Sequence, residues 1–208
     1  APAADPRREN WTEVIPHSPN VMLAGMDFFA DFYTLFERED GLPCLRITSF
    51  RDAQSHRIEF PEPTYSASPG QNPEYDTKTF RFNYQSFITP SSVFDYDMEK
   101  RTRTLLKQTE VLGGYDPSQY QSERLWATAS DGTRIPISIV YRKGLKRDVS
   151  APLLLYGYGS YGASMSATFS SNRLSLLARG VTFAIAHIRG GGEMGKPWPA
   201  PGRMMHTR

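Results

Sequence analysis

Apolar and polar positions alternate with a period of two through much of the first half of this chain. In Thr79-Phe-Arg-Phe-Asn-Tyr84 the aromatic rings fall on one face of an extended segment and the polar groups on the other. Residues 28–36, 45–50, 55–60, 78–86 and 92–97 are similar runs rich in Phe, Tyr, Thr, Val and Ile, each bounded by Gly, Pro, Asn or Asp. That punctuation predicts antiparallel strands joined by turns, so the stretch from about residue 20 to 108 reads as all-β. The runs fall into two groups, 31–60 and 64–107, each with room for four strands. A unit of about 40 to 45 residues suits a propeller blade. A small antiparallel sandwich predicts the same strands, and the pattern alone leaves the two open.

After Gly113-Gly114 the pattern changes. Residues 122–130 and 134–141 flank Asp131-Gly132, a signal for a type I′ hairpin, whose two central residues both need positive φ. A polar stretch follows, and then residues 153–156, an unbroken apolar run that predicts a fully buried strand. Residues 172–179 have helical spacing, with Arg179 in the last turn and Gly180 at the stop. Residues 181–188 predict a second buried strand. Hairpin, strand, helix, strand is the opening of an α/β domain with a parallel sheet.

Composition removes several classes of function. The 208 residues are 39% apolar, enough for a core. No run approaches the roughly 18 apolar residues of a membrane span, and Ala1-Pro-Ala-Ala-Asp-Pro-Arg-Arg8 lacks the apolar centre of an export signal. No membrane partner and a cytoplasmic location are therefore expected. Cys44 is the only cysteine, which excludes an internal disulfide and a cysteine-based zinc site. A net charge of +2, from 24 basic and 22 acidic groups, supplies no field to steer nucleic acid. His17 and His56 lack metal-ligand spacing and read as structural. Oligomeric state is not legible in such a pattern.

The chemistry concentrates in Pro152-Leu-Leu-Leu-Tyr-Gly-Tyr-Gly-Ser-Tyr-Gly162 and in His187-Ile-Arg-Gly-Gly-Gly-Glu193. Gly157-Tyr-Gly-Ser-Tyr-Gly162 matches the G-x-G-x-x-G of a dinucleotide loop. That site also needs a helix starting at its glycines and an acid closing the next strand, and residues 149–192 contain no Asp or Glu. No nucleotide cofactor is expected. Tyr158-Gly-Ser-Tyr-Gly162 is one residue away from the G-x-S-x-G elbow of an esterase nucleophile. A tyrosine crowds the first glycine position, however, and no base follows Ser160 at the usual distance, His187 lying in a strand and His206 two positions before Arg208. In the third reading Tyr158, turned outward by Gly157 and Gly159, donates its phenol hydrogen to the oxyanion that develops in acyl transfer. Tyr156, Tyr158 and Tyr161 could equally pack a sheet edge.

Several ordered segments decide between these readings. Residues 105–111, Tyr120-Gln-Ser-Glu-Arg-Leu-Trp126, residues 131–141, Leu154-Leu-Tyr-Gly-Tyr-Gly-Ser-Tyr-Gly162, Arg173-Leu-Ser-Leu-Leu177 and residues 184–195 together resemble the prolyl oligopeptidase family of serine peptidases, and its oligopeptidase B branch most. The resemblance extends upstream through Trp11-Thr-Glu-Val-Ile15 and covers nearly the whole chain.

It implies a mixed fold. Residues 1–112 would be an all-β partial β-propeller, the last blades of a seven-bladed propeller, and residues 113–208 the first strands of an α/β-hydrolase domain. It implies that Tyr158 is the oxyanion-hole phenol, that the serine, aspartate and histidine of the triad come after the Arg-Gly-Gly-Gly-Glu motif and so beyond residue 208, and that no cofactor takes part. The complete enzyme would cleave short peptides after Lys or Arg, and this chain alone would be inactive. Residues 165–168, Met-Ser-Ala-Thr, lack the acidic side chains that relatives can carry in this loop. Residues 196–203 carry prolines where relatives have a tyrosine and an acid. Arg189 and Glu193 read as a charge pair tying the glycine turn in place. The competing class is a non-enzymatic β-rich binding module that retains the peptidase-like text as scaffold.

Overall fold

The computed structural model describes residues 1–146, 148 and 150–194. Three four-stranded sheets carry the structure. The first is a meander of β1 (Val21–Phe28), β2 (Phe32–Glu39), β3 (Leu42–Ser49) and β4 (Ser55–Arg57), and the second a meander of β5 (Tyr65–Pro69), β6 (Thr79–Ser86), β7 (Ser92–Asp97) and β8 (Thr102–Gln108). Each is antiparallel and runs in simple sequence order, as a propeller blade does, whereas a Greek-key sandwich would exchange strands between sheets. The two sheets bury a common aromatic core: Phe29, Phe32, Leu45 and Ile47 of the first meet Phe80, Phe82, Tyr84 and Tyr96 of the second. β6 carries the alternation read from its sequence, with Phe80 and Phe82 fully buried and Thr79, Arg81 and Asn83 exposed.

Residues 28–36 do not form one strand. Phe29 turns inward and its N–H meets the Phe32 carbonyl at 2.8 Å, so the run splits between β1 and β2. The first sheet accordingly starts at Val21, ten residues earlier than expected, in a strand interrupted by a bulge between Leu23 and Gly25. The two-residue turn with positive φ at both centres lies between β2 and β3, at Asp40 (φ 49°) and Gly41 (φ 78°).

The third sheet has the order β11-β12-β10-β9, built from β9 (Tyr120–Thr128), β10 (Arg134–Arg142), β11 (Leu153–Gly157) and β12 (Thr182–Ala186), with α1 (Ser171–Ala178) between β11 and β12. β11 and β12 are parallel, as the alternation of strand and helix predicted. The β9–β10 hairpin is present, but its turn is not type I′: only Gly132 has positive φ, and its N–H bonds the Ala129 carbonyl. That is a type I turn closed by a left-handed glycine, in which Asp131 accepts the Thr133 N–H at 3.0 Å instead of adopting positive φ. α1 ends at Gly180 (φ 82°) as expected. β12 is buried, whereas Leu153 to Tyr156 of β11 are each 45–58% exposed. In the sheet formed by the described residues β11 stands at the edge, with β12 between it and the hairpin.

The second and third sheets are joined through side chains. Phe87, in the β6–β7 connection, is buried with Val140, Leu177, Phe183 and Ile185. Arg173 of α1 lies over the rings of Phe87 (4.9 Å) and Phe183 (4.1 Å) and donates to the Thr168 carbonyl at 2.8 Å; burial lowers its pKa to about 10. Among the described residues no helix is long and apolar enough to cross a membrane.

Candidate active site: two interlocked glycine loops

Tyr158 follows the last residue of β11, and β12 runs parallel into His187 and the glycine motif, so the two strands deliver both loops to the same end of the sheet. The loops then run side by side at backbone distance. A Cβ on Gly159 would lie 2.5 Å from the Arg189 carbonyl oxygen, and one on Gly192 would lie 2.5 Å from that of Gly162. The Gly162 N–H donates to the Gly190 carbonyl at 2.9 Å, and a Cβ on Gly191 would lie 2.9 Å from the Ala163 carbonyl oxygen. The glycines are therefore required on both sides: backbone packs on backbone with no room for a methyl. At residue 165 the register closes on a side chain, where the Met165 N–H donates to Glu193 Oε1 at 2.7 Å.

On this platform Tyr158 is 42% exposed, and its hydroxyl makes no hydrogen bond among the described residues. A phenol anchored through its backbone and free at its oxygen can donate to an anion brought against it. Ser160 also makes no side-chain hydrogen bond among the described residues. Its carbonyl accepts the Ala163 N–H at 3.1 Å, and among the described residues no base is hydrogen-bonded to its hydroxyl. Helix α1 begins at Ser171, not at the glycines, so no helix N-terminus faces the loop as a phosphate site needs.

Arg189 and Glu193 do not pair with each other. Arg189 bonds Asp131 of the β9–β10 turn, and Glu193 accepts the Met165 N–H. Two carboxylates lay within reach of the motif, and only folding shows which one faces the guanidinium. Asp131 is held down to about pKa 2, first by the Thr133 N–H, then by the Thr133 hydroxyl and Arg189. Glu193 is 1% exposed, and its Oε1 lies 3.6 Å from His187 Nδ1. His187 Nε2 meets Ser138 Oγ at 2.8 Å, and Ser138 Oγ accepts the Thr64 hydroxyl at 2.6 Å. A buried polar chain thus runs from the segment preceding β5 to the glycine motif. His187 is part of the motif singled out in the sequence, where it reads as a strand residue; Thr64 and Ser138 carry no such signal beyond a serine inside the otherwise apolar Ile135-Pro-Ile-Ser-Ile-Val140.

His56 bonds Tyr96 Oη at 2.9 Å across the two blades, a structural role. Cys44 is half-buried and its thiol pKa is raised by burial. Of residues 165–168, Ala167 is buried and Ser166 and Thr168 are half-buried, so the loop presents no charge. Residues 196–203, with their run of prolines, lie outside the described residues. A cavity of about 650 Å³ separates residues 13–23 from Glu37, Arg46 and Met194, the residue after Glu193.

The two four-stranded meanders have the architecture of propeller blades, and the family model described as prolyl oligopeptidase, N-terminal β-propeller domain, matches residues 1–109. The chain belongs to the prolyl oligopeptidase family. It is 42% identical over 205 residues to dipeptidyl aminopeptidase BI of Pseudoxanthomonas mexicana, covering 98% of this chain and 28% of that protein. Oligopeptidase B from Leishmania major superposes with a TM-score of 0.81 at 37% identity, over 90% of this chain and 28% of that one. Prolyl oligopeptidase B from Galerina marginata, bound to a 35mer hydrolysis and macrocyclization substrate, superposes with a TM-score of 0.81 at 29% identity, over 93% and 28%. The chain thus spans about 28% of the length of these relatives. The first two sheets are blades of a partial propeller, and the third comprises the opening strands of the α/β-hydrolase fold.

Proposed function

We propose that this chain is part of an oligopeptidase B-like serine endopeptidase, with the propeller portion ending at residue 112 and the peptidase portion beginning at 113. In the complete enzyme a serine supplied by the rest of the hydrolase domain attacks the scissile carbonyl. Its proton passes to a histidine base, and the amine leaves with that proton as the acyl-enzyme forms; water then releases the acid. Tyr158 donates its phenol hydrogen to the carbonyl oxygen while that oxygen is negative. This contact exists chiefly in the transition state and therefore lowers the barrier rather than tightening substrate binding. No cofactor enters the sequence.

The observation that carries this reading is the Tyr158 hydroxyl, half-exposed and without a hydrogen bond among the described residues, on a loop whose backbone is interlocked with its neighbour. Short peptides are the proposed substrates and a Lys or Arg before the scissile bond the proposed preference, supported by the 37% identity to an oligopeptidase B. The 208 residues contain no G-x-S-x-G elbow, so the isolated chain is expected to be inactive.

The test uses the full-length protein that contains these residues, assayed on peptide amides ending in Arg, Lys, Pro or Ala. The expected result is preference for Arg and Lys, and a Tyr158→Phe variant with kcat lower by about 10²-fold or more at nearly unchanged KM. Preference for Pro or Ala would overturn the specificity, and an unchanged kcat in Tyr158→Phe would overturn the role of the phenol.

A further inference from the structure

We propose that Glu193 is a positioning residue for Tyr158: its buried carboxylate fastens the far end of the tyrosine loop and connects that loop, through His187 and Ser138, to the propeller side at Thr64. The inference rests on the reading of Tyr158 as the oxyanion donor.

The loop from 157 to 165 has two ends. One is fixed because Gly157 is the last residue of β11, paired with Ala186. The other is fixed by the hydrogen bond from Met165 N–H to Glu193 Oε1, beside the packing of the Met165 side chain on the core around Phe87 and Phe183. Between them the loops approach at glycines that have no side chains of their own to hold a position, with the Ile188 and Ser164 side chains packed beside Gly159 and Gly192. Glycine backbone is the most conformationally free, so an interlock of this kind keeps its geometry only if its ends are held.

Glu193 is an expensive choice for that task unless position matters. It is almost fully buried, and its Oε2 has no hydrogen-bond partner among the described residues. A carboxylate left half-satisfied in the interior costs stability that a well-packed apolar residue would not. The carboxylate is not isolated, however. The Thr64 hydroxyl donates to Ser138 Oγ at 2.6 Å, Ser138 Oγ meets His187 Nε2 at 2.8 Å, and His187 Nδ1, with no hydrogen-bond partner among the described residues, lies 3.6 Å from Glu193 Oε1. Arg38 of β2 and Arg124 of β9 add positive potential around Glu193. Arg124 also bonds the Asp40 carbonyl in the β2–β3 turn. Two propeller elements, the Asp40-Gly41 turn and Thr64, therefore converge on the group that fixes the loop. How the propeller seats against the peptidase sheet is thereby felt at Tyr158.

The experiment is a double-mutant cycle in the full-length protein, with active sites counted by a serine-directed phosphonate so that misfolded protein does not register as lost turnover. Glu193→Ala is expected to lower kcat on an arginyl-peptide amide about tenfold to a hundredfold with little change in KM, as a displaced catalytic group does. The double variant Tyr158→Phe/Glu193→Ala is expected to be no slower than Tyr158→Phe alone, since the two act through one phenol. Glu193→Gln, whose amide oxygen can still accept the Met165 N–H, is expected to restore most of the rate. If Glu193→Ala does not fold, Glu193→Asp, which withdraws the carboxylate by one methylene, runs the same cycle. Losses that multiply in the double variant, a Glu193→Ala kcat within twofold of the parent, or a Glu193→Gln as slow as Glu193→Ala would each overturn the inference while leaving the Tyr158 reading standing. An unchanged kcat in Tyr158→Phe overturns both.

Discussion

Replacing Gly159 by alanine adds one methyl group to the interlocked loops at their tightest point. The added Cβ would stand 2.5 Å from the Arg189 carbonyl oxygen, 2.9 Å from that of Ile188 and 2.7 Å from Ile188 Cγ1. Ile188 can rotate its side chain away, but the two carbonyls are main chain and cannot. Carbon and carbonyl oxygen approach no closer than about 3.3 Å in ordinary contacts, so the loops must part by about 0.8 Å. Overpacking of this kind costs about 1–3 kcal/mol. A displacement near 1 Å at a group that must meet a developing oxyanion costs on the order of 10²-fold in rate. The expected result in the full-length protein is therefore a modest fall in thermal stability with a much larger fall in kcat per titrated active site. Gly162→Ala gives the contrast, because nothing lies within 4 Å of its Cβ and only the positive φ of 73° is strained, worth about 1 kcal/mol. A Gly159→Ala enzyme with kcat within twofold of the parent would refute the close approach and the positional demand placed on Tyr158.

Asp131 gives an acid-dependent prediction. Its folded pKa of about 2 lies below the ordinary 3.8, so its stabilising contribution is present above about pH 4 and is lost as the pH falls toward 2. Asp131→Asn is expected to flatten the drop of the urea midpoint across that window, and an unchanged acid limb would count against the Thr133 and Arg189 contacts. Phe87 is 2% exposed and packs edge-on against Phe183 at 5.7 Å, beneath Arg173. Phe87→Ala should cost about 3–5 kcal/mol in chemical denaturation, and a loss under 1 kcal/mol would show that the blade loop is not part of the peptidase-side core.

The elements were legible wherever a residue's burial depends on its own strand. The period-two alternation in residues 79–84 is the burial pattern of β6, and the helix over 172–179 with its glycine stop matches α1 to within a residue. Misreadings arose where burial depends on neighbours distant in sequence. Leu153 to Tyr156 have the composition of a central strand and, among the described residues, have a neighbour on one side only, β12. Residues 28–36 are continuous in hydrophobicity, but Phe29 is drawn into the core shared with Phe80, and a turn follows. At the site, Tyr158 and the glycines could be picked out because their constraint is local backbone geometry. Glu193 is the carboxylate nearest to Arg189 in sequence, yet the guanidinium bonds Asp131, 58 positions away. Thr64 and Ser138 were invisible, because a hydroxyl becomes a link only when its neighbours in space are known.

The order of strands in the third sheet sets an order of assembly. During synthesis the β9–β10 hairpin can close at once, and β11 emerges next with no strand to pair with, because its partner β12 lies beyond helix α1. When β12 arrives it pairs with β10 on one side and β11 on the other, and no contact between β10 and β11 could replace it. A ribosome-bound chain that has released β11 but not β12 therefore offers an apolar strand with both edges open, the state that holdase chaperones bind. The tyrosine loop acquires its glycine counterpart only in the same event, since Gly190 to Gly192 follow β12 directly.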